Sequence, residues 1–359
     1  MELHPLLSQF DEKDLGRYSN ACKEDLLDFL EDLGLSDVRV LQMLGDVRES
    51  LLNNDFQEEN YLQRSNHDGG NFRGADLVGA NFEKANLQVA SFYCADLQES
   101  NLQEANLQGS DLIDAKLEKA NLKGVNLIEA YLKGADLEKA NLEGANLQGA
   151  ELEGADLEKA NLEGANLQGA NLVATNLQFV NLQEANLQEA NLIKANLNGA
   201  YLKEANLTRA NLQETKFKES NLNAAKLIEA NLEGAKLKEA KLEGANLENA
   251  TLISTNLKGA NLTGANLRKA NLIKANLYGA NLQKANLKEA NLTGANLKDS
   301  NFRKANLEGA KFKETDLRRV QNLTIDQLSK VKTLYNAKLD DKILIPLKEN
   351  YPELFEESK

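Results

Sequence analysis

The chain has 359 residues, with 42 Lys and Arg against 55 Asp and Glu and a formal net charge of −13 at pH 7. This acidic balance argues against direct nucleic-acid binding through a basic surface, and no apolar run approaches the length of a transmembrane helix. The cysteines, Cys22 and Cys94, form neither a metal-binding nor a redox spacing, and the N-terminus lacks the features of a secretion signal. We therefore expect reduced cysteines and a cytoplasmic location.

Residues 1–59 show helical periodicity. Leu26, Leu30 and Leu33 recur at the spacing of one helix face, and Gly34 is placed to end that helix. Ser36 can cap a second helix in the remainder of this segment. We predict an α-helical N-terminal segment over 1–59, which either seals the domain that follows or forms a separate docking module.

From Asn71 to Leu317 the sequence follows a five-residue repeat without interruption. Every fifth position from Phe72 onwards is Leu or Phe, 44 and 6 times in 50 positions, and the residue two before it is Ala 39 times. The position between them is usually Asn or Asp. On an α-helix this period would scatter the leucines around the cylinder, and in a continuous strand it would alternate them between faces. The chain must therefore turn after each Leu.

The last two residues of each repeat are free to form that turn. Gly is frequent at the second of them, as at Gly144 and Gly164, which suits the positive φ of a type II turn. A chain that turns the same way every five residues winds into a coil whose bore Ala and Leu can fill. Four sides are favoured because six outward aliphatic or Tyr residues share one class modulo twenty: Tyr93, Ile113, Val173, Ile193, Ile253 and Ile273.

These repeats, such as Ala155-Asp156-Leu157-Glu158-Lys159, closely resemble the pentapeptide-repeat family. The resemblance implies an all-β solenoid, a right-handed quadrilateral β-helix, over residues 60–319. It would have about 13 coils of about 4.8 Å each if imperfect units at Leu62 and His67 are included. Because the family is functionally diverse, the fold does not by itself give a function.

Residues 320–359 are predicted to form a helical C-terminal cap. The stretch 324–327 has the pattern of a capping box before a short helix through about Lys332, and 337–339 resembles one stray repeat. A second helical stretch over 341–350 contains Pro346, which is predicted to interrupt it. In gyrase-directed members of the family the C-terminal segment mediates dimerisation. The resemblance leaves open a dimer through these residues here: Ile343, Ile345, Leu347, Leu354 and Phe355.

Charge is distributed unevenly along the repeats. Residues 70–169 carry 8 basic and 17 acidic side chains, whereas residues 258–319 carry 13 basic and 5 acidic ones. The predicted rod thus has an acidic half and a basic end, which either form a solvated surface or dock a charged partner.

The sequence predicts no enzyme, no cofactor and no metal site. Its two histidines, His4 and His67, lie outside the regular repeats, and the paired acids lie outward on a surface without a cleft. The best candidate for a protein-binding patch is a set of outward apolar residues: Val173, Phe179, Ile193, Ile253 and Ile273. The stretch from Asn171 to Gln183, which contains the first two of them, has no charged residue. Simple β-propensity would also place β-branched residues at such positions.

We therefore predict a non-enzymatic scaffold with an unknown protein partner and a regulatory role, of the kind that long Ala-Asn-Leu arrays in cyanobacteria suggest. The alternative is a DNA-mimicking inhibitor or protector of a topoisomerase such as gyrase, which the resemblance implies for some members of the family. The acidic half supports mimicry, whereas the basic end would repel the positive groove of such an enzyme.

Overall fold

Parallel pairing at intervals of twenty residues defines the fold of residues 62–357, the part of the chain that the computed structural model describes. Asn86 pairs with Asn106, and Asn106 with Asn126, so that twenty residues complete one coil of a four-sided solenoid. Within the described range each side contributes one isolated bridge per coil instead of a longer strand. The predicted N-terminal helices lie outside the described residues, and the division into 1–59, 60–319 and 320–359 stays a prediction.

We name the four sides by their central positions, each of which recurs every twenty residues. Side A contains Asn71 and its successors, side B Asp76, side C Asn81 and side D Asn86. The two residues between neighbouring sides form a corner. Corner AB therefore contains residues 73 and 74 and their successors, corner BC residues 78 and 79, corner CD residues 83 and 84, and corner DA residues 88 and 89.

Each corner is a β-turn. The N–H of the small inward residue donates to the carbonyl of the Leu or Phe three residues earlier, at 3.0 Å from Ala165 to Leu162. The second corner residue has a φ between +54° and +70° in every repeat, whether or not it is Gly. This geometry confirms the predicted turn, and it explains the frequent Gly, which adopts positive φ without steric cost.

The central Asn or Asp of each repeat has a structural role that we did not predict from the pattern. The Oδ1 of Asn161 accepts the N–H of Glu163 at 3.3 Å, and its Nδ2 donates to the Oδ1 of Asn141, one coil earlier, at 3.2 Å. The Nδ2 of Asn181 donates in turn to Asn161 at 2.9 Å. Ladders of side-chain amides therefore run along the sides. Their Oδ1 atoms also accept the N–H of the first corner residue, which has no partner in the backbone pairing.

Replacing Asn161 with Ala is expected to lower the free energy of unfolding by about 1–2 kcal/mol, because three hydrogen bonds are lost at a partly exposed position. Tyr201→Ala is the matched control, since Tyr201 occupies side C two coils further on and interrupts the ladder there. Chemical denaturation of both variants measures the difference. Equal shifts of the unfolding midpoint would contradict a stabilising role for the ladder.

Leu, Phe and Ala fill the bore. From Phe82 to Leu297 the inward Leu and Phe side chains are at most 1% exposed. Each of them contributes about 1.5–3 kcal/mol through burial, before the cost of ordering the chain. In the first coils Phe72 and Phe92 stack with their ring centroids 4.8 Å apart, and Phe82 packs edge-on against both. These larger rings fill the N-terminal end of the bore.

Beyond Leu317 the chain adds a partial coil that contains a short helix. Helix α1 spans Ile325–Leu328 behind the predicted capping box, and it ends before the predicted Lys332. Thr333 and Lys338 then pair with the preceding coil. Residues 332–339 therefore contain two repeats, where the sequence pattern indicated one.

Helix α2 spans Asp341–Asn350 and is followed by a 3₁₀ helix over Pro352–Phe355. Pro346 lies inside α2, so the predicted interruption of this helix is wrong. The proline removes the N–H that would bind the carbonyl of Lys342, and Lys342 is exposed, so that water can replace the missing donor.

Candidate protein-binding face

The structure places four of the predicted apolar residues in one column at corner AB. Val173 and Ile193 lie one coil apart, and the N–H of Ala174 donates to the carbonyl of Ile193 at 2.9 Å. Ile253 and Ile273 repeat this arrangement four coils further on. All four side chains are partly buried.

The two pairs do not form a continuous groove. Gln213 and Glu233 occupy the corner positions between them, and the Nε2 of Gln213 donates to the carboxylate of Glu233 at 3.3 Å. Corner AB therefore holds two small apolar patches, separated by polar side chains.

Phe179 lies at the opposite corner of side B, corner BC, and is 50% exposed. Its ring covers Gly199 in the next coil, because a Cβ built on Gly199 would lie 2.5 Å from the nearest ring atom. Asn176 and Asn196 occupy the central positions of side B in these two coils. The result is an uncharged strip with apolar borders, which we call the central strip: Val173, Asn176, Phe179, Ile193 and Asn196.

Other exposed apolar side chains were missed by the sequence reasoning. Tyr131 and Tyr201 are 51% and 49% exposed and replace Asn at central positions of sides A and C. Val78 and Val89 are corner residues of the first coils, at 54% and 67% exposure. A residue other than Asn or Asp at a central position is the sequence signal that would have identified the two tyrosines.

The charge on side B and corner BC changes sign along the solenoid. Acidic side chains outnumber basic ones five to four over 116–159, on the N-terminal side of the central strip, and basic side chains outnumber acidic ones five to two over 216–258, on its C-terminal side. The minority charges are Lys116, Lys119, Lys139 and Lys159 on the first side and Glu219 and Glu239 on the second. The acidic set is Glu118, Asp136, Glu138, Asp156 and Glu158, and the basic set is Lys216, Lys218, Lys236, Lys238 and Lys258.

Ion pairs within corner BC shift the pKa of several of these groups. The hydrogen bond from Lys159 lowers the pKa of Glu158. On the basic side, the hydrogen bond between Lys218 and Glu219 raises the pKa of the lysine and lowers that of the glutamate. All three shifts favour the charged forms, so these side chains are charged at neutral pH.

Residues 62–357 contain no group of His, Cys, Asp and Glu side chains that could hold a metal ion. No helix in this range is long and apolar enough to cross a membrane. Cys94 is buried and disulfide-bonded, so the expectation of reduced cysteines is wrong for this residue. Because disulfides persist mainly in oxidising compartments, the cysteines do not support the cytoplasmic location, which stays a prediction.

The apolar residues of the C-terminal cap differ in their exposure, and therefore in whether they could contact a second copy in a dimer. Leu347 and Leu354 are buried within the chain, and Ile343 and Phe355 pack partly against the core. Ile345 is 54% exposed. A dimer through the cap stays a prediction, with Ile345 as its most accessible contact among the five residues considered.

Comparison with protein families identifies the repeat. The model of the pentapeptide repeats matches the chain in a series of stretches from residue 61 to residue 319. The chain belongs to the pentapeptide-repeat family. No curated protein sequence matches this pentapeptide-repeat protein, and no catalytic family is indicated.

Several solved structures are similar to this pentapeptide-repeat protein. A trypsin-treated variant of QnrB1, a plasmid-mediated fluoroquinolone resistance protein, is 21% identical with a TM-score of 0.47, over 54% of this chain and 96% of its own. HetL from the cyanobacterium Nostoc sp. strain PCC 7120, involved in heterocyst differentiation regulation, is 36% identical with a TM-score of 0.22, over 61% and 90%. Rfr23 from the cyanobacterium Cyanothece 51142 is 44% identical with a TM-score of 0.24, over 27% and 63%. Because these TM-scores are below 0.5, the fold assignment rests on the repeat and the family match.

Proposed function

We propose that this pentapeptide-repeat protein is a non-enzymatic interaction protein, with a regulatory role, that presents a rigid side of its solenoid to a protein partner. The central strip carries the proposal. Phe179 is half exposed at one border, the Val173–Ile193 pair lies at the other, and the surface between them is uncharged. Apolar side chains gathered on one side of a soluble protein often mark a contact with another molecule.

Hydrogen bonds hold the central strip in a fixed shape. The Nδ2 of Asn176 donates to Asp156 at 3.0 Å, and the Oδ1 of Asn176 accepts the N–H of Gln178 at 3.3 Å. Beneath them, the buried hydroxyl of Thr175 donates to the carbonyl of Leu152 at 2.8 Å. A partner would therefore bind a preformed surface, without the entropic cost of ordering this part of the chain. The Ile253–Ile273 patch extends the proposed contact along corner AB.

Changing Val173 and Ile193 together to Lys is expected to abolish capture of the protein partner in a pull-down from a cell extract, because two charges replace the apolar border. The melting temperature should be unchanged, since both side chains point outward. Gln168→Lys with Gln188→Lys is the matched control, because these residues also lie one coil apart, at corner DA. Retention of the partner by the Val173→Lys/Ile193→Lys variant would leave β-propensity as the explanation of the patch.

The alternative, a DNA-mimicking topoisomerase inhibitor or protector, requires a continuous negative column. On side B with corner BC, Lys116, Lys119, Lys139 and Lys159 interrupt the acidic residues that end at Glu158, and basic residues predominate from Lys216 onwards. The charge pattern therefore favours the interaction protein. A gyrase supercoiling assay separates the two functions, because a mimic changes the supercoiling activity of gyrase and an interaction protein of the proposed kind leaves it unchanged.

A further inference from the structure

The order of charges at corner BC reverses in the middle of the solenoid. The corner carries Glu-Lys at 118–119, 138–139 and 158–159, but Lys-Glu at 218–219 and 238–239. The two corners between these groups are uncharged, and one of them contains Phe179. Ion pairs within the chain form in either order, at 2.6 Å for Glu158 with Lys159 and at 2.9 Å for Lys218 with Glu219. Pairing within the chain therefore does not explain the reversal.

The central positions of side B reverse at the same place. Asp156 precedes the central strip, whereas Lys216 and Lys236 follow it. A lysine cannot accept the corner N–H, and the N–H of Lys218 donates instead to Asn198 in the preceding coil at 2.9 Å. Both lysines are exposed, and neither forms an ion pair with an acidic side chain among the described residues. They thus interrupt the amide ladder and present their charge outward.

We propose that side B binds side B of a second copy of this chain in an antiparallel arrangement. The two-fold axis would pass between the coils of Asn176 and Asn196, the centre of the charge reversal. Rotation about that axis brings each residue opposite the residue that lies equally far on the other side of the axis. Corner AB then faces corner AB of the second copy, and corner BC faces corner BC.

This arrangement matches the charges of the two copies. Every charged position that meets another charge between residues 113 and 259 meets the opposite sign, and no like charges meet. The matched pairs are Asp136 with Lys236, Asp156 with Lys216, Glu118 with Lys258, Glu138 with Lys238, Glu158 with Lys218, Lys139 with Glu239, Lys159 with Glu219, and Lys133 with Glu233.

The apolar residues are matched by the same rotation. Val173 faces Ile193 of the second copy, so that four aliphatic side chains meet beside the axis. Phe179 faces Gly199 of the second copy, and because its ring already extends over its own Gly199, the two rings meet at corner BC. An apolar centre with charged flanks is the usual anatomy of a specific protein interface.

Self-complementarity identifies the occupant as a second copy. A partner of uniform charge would meet both signs in each half of this surface, whereas a second copy presents the opposite sign at each matched position. The matched surface extends over seven coil spacings, about 34 Å at about 4.8 Å each, and is narrow. We therefore expect a dimer that depends on protein concentration and weakens strongly from low to physiological ionic strength. This inference rests on the proposed function, since it names the occupant of the central strip.

The test uses the full chain in sedimentation velocity at low ionic strength. Glu138→Lys with Glu158→Lys in one variant, or Lys218→Glu with Lys238→Glu in another, is expected to weaken association about tenfold or more, because matched pairs become like-charged. An equimolar mixture of the two variants is expected to regain association, because an all-basic corner then meets an all-acidic one. Failure of the mixture to associate would overturn the proposal.

The matched control is Glu143→Lys with Glu163→Lys, which makes the same charge change in the same coils at corner CD. This control is expected to dimerise like the unmodified chain, and an equal loss of association would overturn the proposal. Association that is lost with Ile345→Lys but survives both corner BC variants would also overturn it, in favour of the cap. An unmodified chain that stays monomeric at low ionic strength refutes the dimer alone, because the pull-down with Val173→Lys/Ile193→Lys still tests the proposed function.

Discussion

Replacing Leu197 with Asp is expected to lower the free energy of unfolding by about 4 kcal/mol or more, because a carboxylate enters an apolar bore without a partner. Leu197 is 0% exposed, and its N–H donates to the carbonyl of Lys216 in the next coil at 2.7 Å. The side chain therefore cannot reach water unless two coils separate. The neighbouring coils lose their stacking surface at the same time, since each coil of a solenoid is stabilised only by its neighbours.

Gln183→Asp provides the control for this substitution. Gln183 is a partly exposed corner residue whose N–H is bound by Asn181, and the change to Asp is expected to alter stability by less than about 0.5 kcal/mol. Denaturant unfolding and amide hydrogen exchange of the two variants measure the contrast, and exchange should rise first in the coils beside Leu197. Equal midpoints for the two variants would refute the assignment of Leu inward and Gln outward.

The inward and outward positions could be predicted because they depend on the five-residue period alone. The small residue and Leu stand two apart, and only a turn after each Leu keeps both of them inside. The number of sides could be inferred only from outward residues that recur at multiples of twenty positions, such as Ile193 and Ile273. Parallel pairing at intervals of twenty residues confirms it.

The role of the central Asn could not be read from the same repeat. The amide of Asn161 is bonded to residues twenty positions away in both directions, so its role is visible only when the coils are stacked. Pro346 shows a similar limit at the other end of the chain. Proline usually breaks a helix, but this helix continues through Pro346 because the carbonyl left without a donor belongs to Lys342, which is exposed to water.

The charge reversal on side B was hidden in the sequence for a geometric reason. Residues 170–257 carry 9 basic and 10 acidic side chains and therefore look neutral in a linear count. The lysines of this stretch, such as Lys216 and Lys236, lie on side B, whereas acids such as Glu204 and Glu243 lie at corner CD. The complementarity between the charges of side B in one copy and those of side B in an antiparallel second copy becomes visible only when each residue is assigned to a side.

Replacing Gly199 with Ala is expected to lower the free energy of unfolding by about 2–4 kcal/mol, the sum of a backbone cost and a packing cost. Gly199 has a φ of +68°, which a residue with a Cβ adopts at a cost of about 1–2 kcal/mol. The new Cβ would also lie 2.5 Å and 2.6 Å from two atoms of the Phe179 ring, so the ring has to leave its position.

Gly169→Ala separates the two costs. Gly169 has a φ of +67°, and nothing lies within 4 Å of a Cβ built there, so this variant carries the backbone cost alone. In a Phe179→Ala background, Gly199→Ala should cost no more than Gly169→Ala does, because the clash is gone. Equal unfolding midpoints for Gly199→Ala and Gly169→Ala in the unmodified chain would show that the position of the Phe179 ring does not require glycine at 199. Because Phe179 borders the central strip, Gly199→Ala should also weaken capture of the partner, whereas Gly169→Ala leaves that surface intact.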